Sequence, residues 1–352
     1  MVPRSSCHPA ARAEPVNEQR SRRPPAMTDV ARVAGVSHQT VSRVLNGHPS
    51  VTARTRATVL AAVQELGYRP NRAARTLVTG RSRTLGVITL AGSLHGPAST
   101  LYGIEAAAQN EGYSVNVTSL KSVDRESTST AVGLLQRQGV DGVIVIAPLI
   151  SVGDFLSELA SRLPTVAVEG APEADVPVVR VDQLAGAKLA TLHLLEEGHA
   201  TVWHLAGPPD WFEAVQRTSG WRSTLHDAGA EVPPVLTGDW SPRLGYEAGE
   251  ILARITDVTA VFVANDQMAL GMLRALGEHG RRVPEDVSIV GFDDIPESGY
   301  FSPPLTTVRQ PFDEVGRRSL RLLLNQMEDN TPSREQVVIA PELVVRMSTR
   351  MS

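Results

Sequence analysis

Six short apolar runs restrict the fold of the chain after residue 84. They are residues 85–88, 143–146, 165–168, 202–205, 261–263 and 288–290. Most are nearly continuous in β-branched and other apolar side chains, as strands buried on both faces of a parallel sheet are. The stretches between them, such as 102–111 and 185–197, have helical spacing. This alternation predicts βαβ units and an α/β fold. A break near Asp182 and a return near Thr306 predict two lobes joined by crossing strands.

The size and composition of the chain fit a globular protein of two or three domains. It has 352 residues, of which 42% are hydrophobic. No apolar run is long enough to cross a bilayer and the N-terminus has no apolar signal core, so we expect a cytoplasmic protein without membrane partners. Cys7 is the single cysteine, which excludes an intrachain disulfide or a cysteine metal site. We expect no metal and no cofactor.

Charge divides the chain into a basic head and an acidic body. Residues 1–83 contain fourteen Arg and no Lys against four acidic residues, a charge of +10, which leaves −14 for the rest. A basic head on an acidic body is what a nucleic-acid partner for the head alone requires.

Residues 29–46 predict two short helices joined by a tight turn. Gly35 can adopt the positive φ that ends the first helix, and Ser37 is a good N-cap for the second. The apolar face of the first helix is expected from Val30, Ala31, Val33 and Ala34. That of the second is expected from Val41, Val44 and Leu45.

The outward face of the second helix contains His38, Gln39, Ser42 and Arg43. Gln and Arg pair bidentately with adenine and guanine edges, and Ser suits a phosphate. This face therefore has the chemistry of a helix lying in a DNA major groove. A solvated amphipathic helix in a small three-helix domain is the alternative.

Two flanking segments complete this region. Thr52 is expected to cap a third helix that ends at Gly67, and the nine residues 71–79 that follow are too short to form a stable helix alone. Residues 1–25 are rich in Pro, Arg and Ser without periodicity and are predicted to be disordered. Translation starts at either Met1 or Met27.

Several motifs resemble the DNA-binding and hinge segment of the LacI/GalR (lactose/galactose repressor) family. They are Asp29-Val30-Ala31, Ala34-Gly35-Val36-Ser37, Thr40-Val41-Ser42-Arg43-Val44-Leu45-Asn46 and Leu66-Gly67-Tyr68-Arg69-Pro70-Asn71. The resemblance implies a hinge helix that forms when two copies meet on DNA, with Leu77 wedged between base pairs in the minor groove. An ordinary linker is the alternative. The DNA-binding residues it implies are His38, Gln39, Thr40, Ser42, Arg43, Asn71 and Leu77.

The family resemblance also implies the domain organisation. An all-α helix-turn-helix headpiece would occupy residues 26–69 and the hinge helix and linker 70–83. An α/β body of parallel sheets, like a two-lobed periplasmic binding protein, would occupy 84–348, for effector binding and dimerisation. Its lobes would be approximately 84–182 plus 308–338, and 183–307 plus 339–348.

Polar residues follow several of the predicted strands. They are Glu169, Asn265, Asp266, Asp293 and Asp294. Ligands of parallel sheets sit at the carboxyl ends of strands. Carboxylates, an amide and an Arg beside aromatic rings suit a sugar, because they bond neighbouring hydroxyls and offer an apolar face to the ring C–H groups.

Three further segments, 238–241, 264–271 and 303–307, are similar to the family. The effector-binding residues that the resemblance implies are Leu94, Glu169, Arg217, Trp240, Asn265, Asp293, Gln310 and Phe312. Each of these has an alternative role as a strand-end cap or a core side chain. At Glu169, a member of the family has an aspartate. The extra methylene group changes the reach of the carboxyl group in the pocket, so the sugar need not be the one that the family member binds. His95 is expected to contact either the ligand or a second subunit.

The resemblance implies a repressor of carbohydrate-utilisation genes that a small sugar inducer releases from double-stranded operator DNA. Within the family, a corepressor-dependent, purine-type regulator and a phosphocarrier-dependent regulator are alternatives. A glycosidase using Asp266, Asp293 and Asp294 has no accompanying nucleophile or metal constellation. A periplasmic sugar-binding protein would need a signal peptide and no helix-turn-helix.

The end of the sequence predicts the assembly. Few residues follow the last apolar segment, 343–346, so the leucine heptads of tetrameric family members are absent from it. We therefore expect a C2 homodimer that reads a pseudo-palindrome.

Overall fold

The computed structural model divides the chain into two compact units, Met1–Gly80 and Arg81–Ser352. It describes residues 25–45, 47–68, 80–90, 92, 94–120, 122, 124–146, 148–170, 175–329 and 333–350. The predicted N-terminal disorder falls almost wholly outside this range. So do Asn71 and Leu77 of the predicted hinge helix, which stays a prediction. Among the described residues, no helix is long and apolar enough to span a membrane.

The first unit contains the three predicted helices. They are α1 (Met27–Ala34), α2 (His38–Leu45) and α3 (Ala53–Leu66). Gly35 and Gly67 end α1 and α3 with φ of 65° and 59°. Ser37 caps α2, since its Oγ accepts a hydrogen bond of 3.2 Å from the Thr40 amide, and Thr52 caps α3 through its side chain. The predicted turn chemistry of this unit is confirmed.

The helices of the first unit enclose one small core. Its buried members are Val30, Ala31, Ala34, Val41, Val44, Val59, Ala62 and Tyr68. Val33 was expected on the same face, but it is 41% exposed. At about 100° per residue, Val30, Ala31 and Ala34 span an arc of about 100°, and Val33 lies about 60° beyond its edge.

The second unit contains two six-stranded sheets. In spatial order, the first contains β11 (Gln336–Ile339), β5 (Val178–Val181), β4 (Thr165–Val168), β3 (Gly142–Ile146), β1 (Thr84–Leu90) and β2 (Ser114–Leu120). The second contains β12 (Glu342–Val344), β10 (Thr306–Arg309), β9 (Ser288–Asp293), β8 (Ala260–Val263), β6 (Trp203–Ala206) and β7 (Leu236–Thr237). All pairings are parallel except that of β12 with β10. All six predicted apolar runs form strands, so the α/β prediction is confirmed.

Helices cover the sheets and define two lobes. The first lobe has α4 (His95–Asn110), α5 (Arg125–Gln138), α6 (Gly153–Ala160) and α11 (Phe312–Asp329). The second has α7 (Gln183–Glu196), α8 (Phe212–Asp227), α9 (Pro242–Ala253) and α10 (Asp266–Glu278). Short 3-10 turns occur at Ile150–Val152 and Pro296–Tyr300. Because these helices lie between successive parallel strands, the strand ends of each lobe meet at one edge of its sheet.

The chain crosses between the lobes near Asp182, near Gln310 and after Ile339. The last two crossings come slightly later than the boundaries proposed from the sequence, 308 and 339. Arg309 still pairs with Asp293 in the second sheet, and Ile339 pairs with Val181 in the first. The apolar pattern of the sequence does not show where strand pairing ends, because Arg309 and Ile339 are paired through their backbones.

Candidate functional site

A cleft lies between the lobes of the second unit. About 50 Å³ of it is enclosed, within about 530 Å³ of free space that includes the open mouth. The structure brings all eight residues proposed for effector binding to its wall: Leu94, Glu169, Arg217, Trp240, Asn265, Asp293, Gln310 and Phe312.

Three cavity residues have left-handed backbone conformations. The φ angles are 57° at Glu169, 70° at Trp240 and 112° at Asp293. Glu169 directly follows β4, Asp293 ends β9, and Trp240 precedes the N-cap of α9. Residues other than glycine adopt this region at a cost, and such strain concentrates at functional sites. The backbone therefore holds these three side chains through conformations that residues other than glycine rarely adopt.

Arg217, on α8, is the central cation of the cavity and is only 4% exposed. Its Nε donates to Gln183 Oε1 at 2.9 Å, Nη1 donates to the Ala264 carbonyl, and Nη2 lies 3.8 Å from Asp293 Oδ1. The guanidinium carbon lies 3.8 Å from the centre of the Phe292 ring. Burial lowers the pKa of Arg217 while Asp293 opposes that shift, and the guanidinium remains charged at neutral pH.

Gln183, the first residue of α7, joins the polar groups of both lobes. Its Nε2 donates to Glu169 Oε2 at 3.3 Å and to Gln310 Oε1 at 2.8 Å, and its Oε1 accepts from Arg217. Gln183 was not among the predicted site residues, because a Gln at the start of a helix is ordinarily exposed. Its position immediately after the crossing near Asp182 was the available signal.

The cavity wall holds three carboxyl groups in a poorly solvated place. Burial raises the pKa of Glu169 to about 7 and also raises the pKa of Asp293. Burial, with repulsion from Glu169, raises the pKa of Glu213 well above its usual range. Sequence reasoning missed Glu213, although its place four residues before Arg217 on the same helix face pointed to it.

Indole rings form another part of the wall. The rings of Trp240 and Trp211 meet edge to face, with centroids 5.6 Å apart. Gly207 permits this position, since a Cβ there would lie 2.1 Å from the Trp240 ring. Asn265 Nδ2 donates to the Trp240 carbonyl at 3.1 Å, and its Oδ1 caps α10 by accepting from the Met268 amide at 3.0 Å. Asn265 thus combines the strand-end cap and the cavity position that the sequence left as alternatives.

Leu94, His95 and Phe312 close the first-lobe side of the cavity. The His95 and Phe312 rings meet edge to face at 5.6 Å, and His95 Nε2 lies 3.2 Å from Ser99 Oγ. His95 therefore lines the cavity, and its contact with a ligand or with a second subunit stays a prediction.

Asp266 and Asp294 do not line the cavity. Asp266 accepts hydrogen bonds from Thr307 Oγ1 at 2.6 Å and from the Ile295 amide at 2.9 Å. Asp294 pairs with Arg309 at 2.7 Å and with Arg346 at 2.5 Å. These two acids hold strands and loops together, so Asp266 and Asp294 do not join Asp293 in the cavity as the acids of a glycosidase would.

The outward face of α2 is accessible in the first unit. His38, Gln39 and Arg43 are exposed, and Thr40 and Ser42 are half-buried. Val41 and Val44 are buried on the opposite face. The residues proposed to read base edges therefore lie on one solvent-facing side of a helix held by a small core.

Comparison with known proteins decides the family. Residues 26–71 match the description "Bacterial regulatory proteins, lacI family", and residues 191–349 match "Periplasmic binding protein-like domain". The HTH-type transcriptional regulator CelR of Thermobifida fusca is 38% identical over 93% of this chain and 99% of its own length. The chain belongs to the LacI family. It is accordingly a helix-turn-helix DNA-binding transcriptional regulator.

Other members of the LacI family are similar over comparable lengths. The HTH-type transcriptional repressor PurR of Pasteurella multocida is 35% identical over 92% of this chain and 98% of its own. A crystal structure of the lac repressor dimer bound to operator and the anti-inducer ONPF has a TM-score of 0.82 and 35% identity, covering 93% and 99% of the two chains. A CelR–cellobiose complex has a TM-score of 0.69 and 34% identity, covering 92% and 99%. These likenesses extend over both units, which confirms the predicted fold class.

Proposed function

We propose that this LacI-family regulator represses carbohydrate-utilisation genes and is released from its operator by a small saccharide bound between the lobes. The observation that carries the proposal is the cavity in which Arg217, Asp293 and Gln310 form a polar network beside the indole of Trp240. The solved CelR relative is a complex with cellobiose, which supports a saccharide for this site.

In the proposed complex, sugar hydroxyls pair with Arg217, Asn265 and Asp293, and ring C–H groups pack on Trp240. Such binding favours the lobe arrangement that closes the cleft. If the hinges of two copies pair only in the other arrangement, ligand and operator oppose each other. A ~100-fold difference in operator affinity between the two states corresponds to about 2.7 kcal/mol of coupling.

An electrophoretic mobility shift with the gene's own upstream DNA tests this function, repeated over a panel of cellobiose, lactose, maltose, sucrose and glucose. We expect a protein–DNA complex of retarded mobility that one saccharide of the panel dissociates. A saccharide or purine that strengthens the complex would instead make the chain a corepressor-dependent regulator, the alternative that the PurR relatives favour. No effect of any panel member would contradict the saccharide proposal.

The base-reading face of α2 gives a separate prediction. Gln39→Ala and Arg43→Ala are each expected to weaken specific operator binding by about 1–3 kcal/mol and random DNA binding much less, because bidentate base pairing is lost. Arg32→Ala is the matched control, since it removes an exposed positive charge from α1 without altering this face. Competition titrations with operator and random duplexes measure the affinity of each variant for specific and for nonspecific DNA. Equal losses on the two duplexes would show that Gln39 and Arg43 contact only phosphates.

We propose a homodimer as the DNA-binding form. The lac repressor relative is a dimer on its operator. In this chain, Ile251 on α9 and Leu270 on α10 are 52% and 44% exposed, which supports an apolar contact on these helices. Analytical ultracentrifugation at micromolar concentration is expected to give the dimer mass. A monomer, or a tetramer that persists in moderate salt, would contradict this assembly.

We also propose that the cavity binds its saccharide without hydrolysing it, and that the protein acts in the bacterial cytoplasm with its DNA. The relatives are regulators rather than enzymes. Incubation with nitrophenyl glycosides is expected to release no nitrophenol, and release that saturates with substrate would contradict the proposal.

A further inference from the structure

Within the described part of the chain, Glu213 contributes a buried carboxyl oxygen without a hydrogen-bond partner to the cavity wall, as Trp240 contributes an indole Nε1. Glu213 lies on α8, one turn before Arg217, and is only 8% exposed. Its Oε2 is buried and has no hydrogen-bond partner among the described residues. Folded proteins leave few buried polar groups unpaired, because each such group loses its hydration without compensation. An unpaired carboxyl oxygen in a ligand cavity therefore indicates a missing partner on the ligand.

The surroundings of Glu213 favour an uncharged carboxyl group. Glu169 and Asp293 are the other acids of the wall, and both are already hydrogen-bonded, to Val181 and Gln310 respectively. Arg217 is the only Arg or Lys among the described lining residues, and Gln183, Ala264 and Asp293 already occupy it. Burial and repulsion from Glu169 raise the pKa of Glu213 well above its usual range and outweigh the effect of Arg217, which lowers that pKa.

We propose that Glu213 is a specificity-determining residue whose neutral carboxyl group both donates a hydrogen bond to, and accepts one from, a single hydroxyl of the saccharide. A protonated carboxyl has one O–H donor and retains acceptor capacity, and a hydroxyl offers the matching pair. The inference rests on the proposed saccharide site and adds the residue that selects for a hydroxyl at one ring position. An ether or a deoxy position there would leave the buried carboxyl unpaired and lose affinity.

Two substitutions separate hydrogen bonding from shape and charge. Glu213→Gln keeps a neutral donor and acceptor, whereas Glu213→Met keeps the length without either. We expect Glu213→Gln to bind the saccharide within about threefold of wild type and Glu213→Met about tenfold or more weaker, since a buried hydrogen bond is lost. Glu231→Gln, on the exposed loop before β7, is the matched control for loss of an acidic residue.

The test is isothermal titration of the full chain with the panel saccharide that dissolves the operator complex, and with its monodeoxy derivatives. One derivative is expected to bind wild type and Glu213→Met with equal affinity, because the partner hydroxyl is already absent. If Glu213 had only a structural role, Glu213→Met would lower the affinity for every derivative by the same factor.

Several outcomes would overturn the inference. They are Glu213→Met binding like wild type, Glu213→Gln losing as much affinity as Glu213→Met, and a uniform loss across the monodeoxy series. If no panel saccharide binds wild type at all, the proposed function itself fails. Binding that is insensitive to Glu213 leaves the function standing and removes only this residue's role.

Discussion

Replacing Arg217 with methionine is expected to lower the free energy of unfolding by about 3–5 kcal/mol, because a buried ion pair is broken by removing one partner. Asp293 would lose its nearest cation, and Gln183 and the Ala264 carbonyl would lose their donors. The same change is expected to abolish saccharide binding under conditions where the variant is folded. Urea denaturation at pH 7 and isothermal titration measure the two effects.

The double variant Arg217→Met/Asp293→Asn is the internal check on the Arg217 prediction. It removes both members of the buried pair, so we expect it to be less destabilised than the sum of the two single variants. Arg222→Met, at an exposed position on the same helix, is the matched control and is expected to shift stability by no more than about 0.5 kcal/mol. If Arg217→Met and Arg222→Met unfold at the same urea concentration, Arg217 does not have the structural role assigned to it.

The fold was predictable because its signals are local. The buried strands are continuous β-branched runs, and Gly35, Gly67, Ser37 and Thr52 mark helix ends whose turn chemistry needs only neighbouring residues. Val33 was wrongly predicted to be buried, because the width of a helix's buried face depends on how much of the helix its neighbours cover. In a headpiece this small, that face excludes Val33.

The cavity was predictable in part, since Glu169, Asn265 and Asp293 lie at or just after the ends of strands and so belong at one edge of the sheets. Gln183 and Glu213 were missed because their burial in the cavity depends on tertiary packing. The only local signals were the position of Gln183 after a lobe crossing and the helix face that Glu213 shares with Arg217. The left-handed φ of Trp240 was equally invisible, since a tryptophan has no local preference for that conformation.

The packing of α9 against α10 gives the second large prediction. Gly271→Ala is expected to lower the free energy of unfolding by about 3 kcal/mol or more, because overpacking a tight contact forces backbone shifts. A Cβ at Gly271 would lie 1.8 Å from the Pro242 carbonyl oxygen and 2.7 Å from the Tyr246 amide nitrogen. Across the same contact, a Cβ at Gly245 would lie 2.0 Å from the Met268 carbonyl oxygen. These obstacles are backbone atoms, so no side-chain rotation relieves them.

Gly277→Ala is the matched control for Gly271→Ala. It lies in the same helix, but a Cβ there would meet nothing within 4 Å. The alanine is expected to raise stability by up to about 1 kcal/mol, through helix propensity and a less flexible unfolded chain. Because Asn265 caps α10 and lines the cavity, displacement of this helix by Gly271→Ala is also expected to weaken saccharide binding. Equal urea midpoints for the two alanine variants would contradict the close approach of α9 and α10 on which this prediction depends.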